Sequence, residues 1–233
     1  RPQTDLCNKA VPGARVGFRM VTNLVSSSHL VRICAMTPEK LRKIYGEASP
    51  HAEAKIISHF DCHCRQFIEH ATFLVLATSD GKNLDVSPKG DPAGFARIES
   101  ETTLLIPDRP GNNRIDGLLN ILAHPNVATF FMIPSVTETL RVNGRAEICD
   151  DPELCDGFQI NGRSPKTVLR ITANEIFIHC GKAPMRAGLW QPETWPKERP
   201  IASMYQVVQD HSKMAVTSTE QSYSEQRYKE TLY

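Results

Sequence analysis

The chain has 233 residues, 40% of them hydrophobic and 7% aromatic, with 27 basic against 26 acidic side chains and a formal net charge of +1. That length accommodates one domain of ordinary size with a sizeable core and terminal extensions, and the near balance of charge argues against a nucleic-acid partner. No apolar run approaches the roughly 18 residues that cross a bilayer, so no membrane partner is expected, and seven cysteines at irregular spacing speak for free thiols in a reducing compartment.

Residues 1–36 carry five basic side chains and one acidic one, Asp5, with serines at 26–28 and no clear periodicity. Such a segment reads either as a disordered leader or as the remnant of an organelle-targeting sequence, which is basic and acid-poor. The folded part is expected over 37–210, in the cytoplasm, or in an organelle if the leader is a targeting remnant. Thr37-Pro38 starts a predicted helix through Tyr45, with threonine as cap and proline at the first helical position. Ser49-Pro50 repeats the device. Asp61 caps a third helix to about His70, on which Phe60, Cys64, Phe67 and Ile68 share an apolar face.

The period then changes. Thr72 to Thr78 and Asn83 to Ser87 read as a hairpin around Ser79-Asp80-Gly81-Lys82. Phe95 to Ile98 and Thr102 to Ile106 read as a second. A helix is expected from about Ile115 to Ala123, with Ile115, Leu118, Leu119 and Leu122 on one face, stopped by His124-Pro125. Val127 to Ile133 is an apolar strand, and Thr139 to Ile148 a long one with Gly144 as a bulge. A short acidic helix, Pro152 to Phe158, precedes two last strands, Val168 to Ile171 and Glu175 to His179. Short helices near Ala183 to Leu189 and Ile201 to Gln209 follow, and residues 211–233 read as a mobile tail. Six or seven strands with short turns and few long helices predict a mainly β fold, a closed or half-closed β-barrel with flanking helices.

The chemistry concentrates in Asn83-Leu-Asp-Val-Ser-Pro-Lys-Gly-Asp-Pro-Ala-Gly-Phe95 and Leu104-Leu-Ile-Pro-Asp-Arg-Pro-Gly-Asn-Asn-Arg-Ile-Asp116. A phosphate dianion needs cations and several N–H or O–H donors. Arg109 and Arg114 flank a Pro-Gly-Asn-Asn turn, Asn112 or Asn113 is a candidate cap, and the helix start behind them adds backbone donors. Taken alone, Arg109 and Arg114 read as surface ion pairs with Asp108 and Asp116, and Asp91 and Asp108 as braces for turns or arginines. His59, Cys62, His63 and Cys64 suggest metal ligands at first sight. However, Cys-x-Cys on a helix sends the thiols to different faces, and no second ligand pair matches the spacing, so no metal is expected.

With these segments, Phe73-Leu-Val-Leu-Ala-Thr-Ser, His124-Pro-Asn-Val, Glu138-Thr-Leu-Arg-Val-Asn-Gly-Arg-Ala and His179-Cys-Gly-Lys-Ala give an order along the chain. From about Phe67 to Trp190 it resembles the pyridoxamine 5′-phosphate oxidase-like family of FMN-binding split barrels. The resemblance implies FMN at the interface of a homodimer and an oxidoreductase working through flavin N5 on a small-molecule substrate. It implies Ser87 and Lys89 on a strand facing the flavin, and Ile106 and Pro107 beside the ring. Arg109, Asn112, Asn113 and Arg114 would lie at the phosphate, and Thr139 and Arg141 would come from the partner subunit. Arg186 and Trp190 would belong to a C-terminal element packed on the site. The family's true oxidases carry an Arg-x-His element near the C-terminus; Met185-Arg186-Ala187-Gly188 here lacks the histidine, which speaks against pyridoxine phosphate as substrate. A non-catalytic flavin-binding module, and a split barrel that takes deazaflavin or haem, are the alternatives.

Overall fold

The computed structural model describes residues 36–212 and 225–233. The expected leader falls outside the described residues but for Met36, and so does 213–224 of the expected tail. The chain divides into two compact units, residues 1–47 and 48–233. In the first, Thr37 caps α1 (Pro38–Tyr45), its hydroxyl accepting the Lys40 N–H at 3.3 Å. Gly46, at φ +72°, closes that helix, its N–H donating to the Arg42 carbonyl, in a positive-φ conformation that glycine adopts without penalty.

The second unit begins with α2 (Pro50–Ala54), capped by Ser49, and α3 (Cys62–His70), capped by Asp61. The Cys64 N–H donates to the Asp61 carboxylate at 2.8 Å and holds it below the ordinary carboxylate range. The apolar face expected on α3 is the face that packs: Phe60, Cys64, Phe67 and Ile68 are all buried. Burial pushes the Cys64 thiol up to about 12, while Cys62 is exposed, so the two thiols of the Cys-x-Cys do point to different faces.

The strands are β1 (Phe73–Ser79), β2 (Leu84–Gly90), β3 (Arg97–Ile98), β4 (Thr103–Asp108), β5 (Asn126–Met132), β6 (Thr139–Cys149) and β7 (Thr167–His179). They form one sheet in the order β2-β1-β5-β6-β7-β4-β3, with every neighbouring pair antiparallel. Helices α4 (Asp116–Ala123) and α5 (Pro152–Asp156) pack on it, and α6 (Lys182–Ala187), α7 (Met204–Ser212) and α8 (Glu225–Glu230) follow the last strand. Inward side chains from five strands, among them Leu74, Leu76, Leu104, Phe131, Leu140, Val142 and Ile171, make the main core with Ile68 and Ile121. Leu105 turns the other way, into a smaller cluster with Cys155, Phe158 and Val168.

Although β2 and β4 stand near opposite ends of the strand order, Lys89 Nζ on β2 donates to Asp108 Oδ1 on β4 at 2.5 Å. Just beyond these strands, Arg109 Nε donates to Asp91 Oδ2 at 2.6 Å. The sheet therefore rolls until its ends meet, and the seam is crossed by ion pairs where a closed barrel would have ladder hydrogen bonds. This is a mainly β split barrel with flanking helices, as expected.

Four details differ from the sequence reading. The two last strands are one, β7, and Asn174 is its extra residue where the β6 register shifts at Asn143/Gly144. β2 runs on to Gly90 through Pro88, which an edge strand tolerates, and β3 is only Arg97–Ile98. The packing face of α4 is also different: Ile121 is buried and Leu118 packs on the core, whereas Ile115, Leu119 and Leu122 are 51, 53 and 73% exposed. Gly117 lies close against the sheet, where a Cβ would stand 3.0 Å from Asp85 Oδ2. A glycine carries no apolar signal, so the hydrophobic period misses the face it marks.

Candidate functional site

At the seam lies a cleft of about 480 Å³. Its walls are β2 from Asp85 to Lys89, the segment Asp108 to Leu118 that leaves β4 and opens α4, and Lys166 and Thr167 at the start of β7. Leu76, Val86, Pro88, Ile115 and Leu118 make the apolar part of this lining.

The segment into α4 is wound unusually. Asn113 and Ile115 have φ of +58° and +51°. Asparagine tolerates that region; for a β-branched residue it is a genuine outlier that the surroundings must impose. Asn112 does not cap the helix as expected. Its Oδ1 accepts the N–H of Arg114 at 3.0 Å, and α4 has no side-chain cap. The first backbone N–H groups of α4 thus have no intrahelical acceptor, and Asp116 and Gly117, which begin the helix, line the cleft.

Six of the residues singled out from the sequence line this cleft: Ser87, Lys89, Arg109, Asn112, Asn113 and Arg114. Three of the basic ones are held by carboxylates. Lys89 and Asp108 are each about one-fifth exposed, and Arg109 leans on Asp91, which is 2% exposed. Arg114 Nε pairs with Asp116 Oδ2 at 2.7 Å in the open, where a salt bridge contributes little. So Asp91 and Asp108 brace basic side chains, and the partner of Arg109 is Asp91, not the neighbouring Asp108.

Ile106 and Pro107 do not line the cleft. Both are buried, and Ile106 belongs to the main core; alternation along β4 directs it inward. Thr139, Arg141, Arg186 and Trp190 also lie off it. Thr139 is buried on β6, Arg186 is exposed on α6, and Trp190 Nε1 donates to the Val136 carbonyl at 2.8 Å. Arg141 donates to Glu175 at 2.5 Å and stacks 4.0 Å from the Phe177 ring centroid. Two residues on the lining, Lys166 and Thr167, had no local signal in the sequence. Strand pairing brings them there, Thr167 standing opposite Asp108. Another unforeseen neighbour is Tyr233: its hydroxyl donates to Asp91 Oδ1 at 2.9 Å, its ring lies 5.5 Å from the Arg109 guanidinium, and Arg163 donates to its backbone oxygen. Burial, then the Asp91 hydrogen bond, raise the Tyr233 phenol above its ordinary value.

On the face that carries Arg141, His179 stands 4.5 Å from the Phe177 ring and 5.8 Å from Phe130. Burial, and then the charges of Arg141 and Lys55, hold its imidazole below the ordinary 6.5. The unfolded chain therefore takes up this proton at a higher pH than the folded one. The stability this site supports is complete above 6.5 and is lost as pH falls through 6.5 toward the folded value. Urea midpoints taken from about pH 7.5 down to about pH 5 should fall, and His179→Gln should flatten the slope. An equal slope in the variant would exclude His179 as its source.

Among the described residues no three potential metal ligands come together, and no helix is long and apolar enough to cross a membrane. The five described cysteines are free.

A search of the curated proteins found no match. Among solved structures, the chain is similar to HupZ of Group A Streptococcus, at 22% identity over 51% of this chain and 92% of that one, TM-score 0.41. It is similar to General Stress Protein 26 of Bacillus anthracis, at 16% identity over 48% and 88%, TM-score 0.38. A third is an FMN-binding protein of Syntrophomonas wolfei, at 12% identity over 50% and 83%, TM-score 0.39. The sequence model of the pyridoxamine 5′-phosphate oxidase family matches residues 60–180, just over half of the chain. With the split barrel and its basic seam already described, the chain belongs to the pyridoxamine 5′-phosphate oxidase family.

Proposed function

We propose that the protein is an FMN-dependent oxidoreductase that works as a homodimer on a small-molecule substrate. The observation that carries this reading is the seam cleft itself: about 480 Å³, within the usual range for small-molecule sites, with an apolar wall and four basic side chains on one lining. A flavin needs both, an apolar slot for its ring and cations for its phosphate. When bound, the flavin supplies hydride or electron transfer; the chain supplies placement, charge and exclusion of water. Lys89, braced by Asp108, would put positive charge beside the ligand, which favours an anionic reduced ring. Arg109 and Arg114, each paired with a carboxylate, would add positive charge along the lining. No side chain is assigned as general base.

The dimer reading is supported by two features. Thr139 and Arg141 stand away from the cleft of their own subunit, as residues serving a partner's cleft would. In addition, Ile115 just ahead of α4 and Leu119 and Leu122 on it are exposed apolar side chains, the kind of surface a second copy covers. Leu119→Glu should shift the protein from dimer to monomer in sedimentation, with its thermal unfolding otherwise preserved. A variant that stays dimeric would remove α4 from the interface.

Purified protein should be yellow, or turn yellow with added FMN, and bleach with a chemical reductant. A colourless protein that takes up no FMN would overturn the flavin reading. Absorption of the bound molecule separates FMN from deazaflavin and haem, and a saturable reductive half-reaction separates an enzyme from a non-catalytic flavin carrier.

A further inference from the structure

We propose that Lys166, with Thr167 beside it, is the phosphate anchor of the seam cleft, so that the phosphomonoester end of the ligand docks at the start of β7. The cleft comes from the geometry alone; only the ligand's identity as a flavin rests on the function proposed above.

The charges on the lining single out this residue. Lys89 is bound to Asp108, Arg109 to Asp91 and Arg114 to Asp116. The N-terminus of α4 is counter-charged as well, since Asp116 is its first residue and Asp85 Oδ2 lies 3.0 Å from where a Cβ on Gly117 would be. Among the described residues, Lys166 is the one basic side chain of this lining without a carboxylate partner. A dianion that drew Lys89 or Arg109 to itself would strip Asp108 or Asp91 of its counter-ion in half-buried surroundings, where an unpaired charge is costly. Near α4 it would meet Asp85 and Asp116. At Lys166 it gains a cation that no carboxylate holds, and the Asp108 opposite Thr167 keeps Lys89 as its counter-ion.

Thr167 gives a second, independent sign. It lines the cleft, and its hydroxyl oxygen is buried without a hydrogen-bond partner. Buried hydroxyls in folded proteins are nearly always paired, and one that is not calls for an explanation. A threonine χ1 has more than one staggered well, and a phosphate oxygen beside Lys166 would give this hydroxyl the acceptor it lacks. Register fixes the pair in place: Thr167 faces Asp108 across the β4–β7 ladder, so Lys166 and Thr167 sit at the end of the sheet where Lys89 bridges the seam.

The test uses the full chain in two arms. In the first, FMN and riboflavin are titrated by flavin fluorescence against wild type, Lys166→Met and Thr167→Val. Wild type should prefer FMN; Lys166→Met should lose about tenfold of that preference with riboflavin affinity unchanged. Thr167→Val should lose about threefold, with the unfolding temperature of the ligand-free protein unchanged or raised. A Lys166→Met protein with the wild-type FMN-to-riboflavin ratio would overturn the proposal and leave the flavin reading intact. In the second arm, unfolding temperature is followed with inorganic pyrophosphate. A rise in wild type that Lys166→Met abolishes supports the anchor even if no flavin binds. A rise equal in both proteins, or none in either, overturns it.

Discussion

Gly144→Val should abolish cooperative folding, or cost more than about 4 kcal/mol where the protein can still be recovered. A Cβ at Gly144 would lie 2.2 Å from the Thr172 carbonyl oxygen and 3.0 Å from the Ala173 Cα. Both are backbone of the neighbouring strand, so no rotamer change can make room. The contact is tight because β7 carries the extra residue: Asn143 pairs with Glu175 and Gly144 with Ala173, and Asn174 is bulged out. The bulged backbone presses onto β6 at that point, and only a residue without a side chain fits. Soluble yield and urea unfolding read the effect; a midpoint equal to that of wild type would show that the two strands do not meet as described. β6 and β7 lie at the middle of the strand order, so their separation would also undo the roll that creates the seam.

The same bulge shows what the sequence could and could not reveal. The break between Ile171 and Glu175 was read as the end of one strand and the start of another, and Gly144 as a bulge; that one irregularity spans both strands and leaves β7 continuous was not legible. Local chemistry was readable: Thr37, Ser49 and Asp61 cap the helices they announce, because a cap involves only the next three residues. The α4 face was misjudged because its contact point is Gly117 and because Ile115 stands in the left-handed region just ahead of the helix. The cleft was half legible. Ser87 and Lys89 come from one strand, and Arg109 to Arg114 from one turn, so each group is contiguous in the chain. Lys166 reaches the lining through the β4–β7 pairing, and Tyr233 reaches Asp91 across 142 residues of sequence. Neither carries a pattern of its own. Ile106 stands two residues from Asp108, on the same face of β4, but deeper in the barrel and buried in the core, a difference of depth that a motif does not carry.

Removing Asp91 alone, or Arg109 alone, should cost about 3 kcal/mol of stability, whereas replacing both should restore most of it. The Asp91 side chain is 2% exposed and that of Arg109 14%, with 2.6 Å between them. Asp91→Leu leaves a largely buried guanidinium without its counter-ion and takes the acceptor from the Tyr233 hydroxyl; Arg109→Met leaves a buried carboxylate. The double variant buries neither charge, and apolar replacement of a buried pair is often close to neutral. Urea unfolding of the four proteins gives the coupling directly. Flavin affinity should track stability across the set, low in each single variant and recovered in the double, because Arg109 rivets the seam and the anionic end of the ligand is held by another side chain of the lining. A double variant that regains stability but stays at least about tenfold weaker for FMN would show Arg109 acting on the ligand through its own charge.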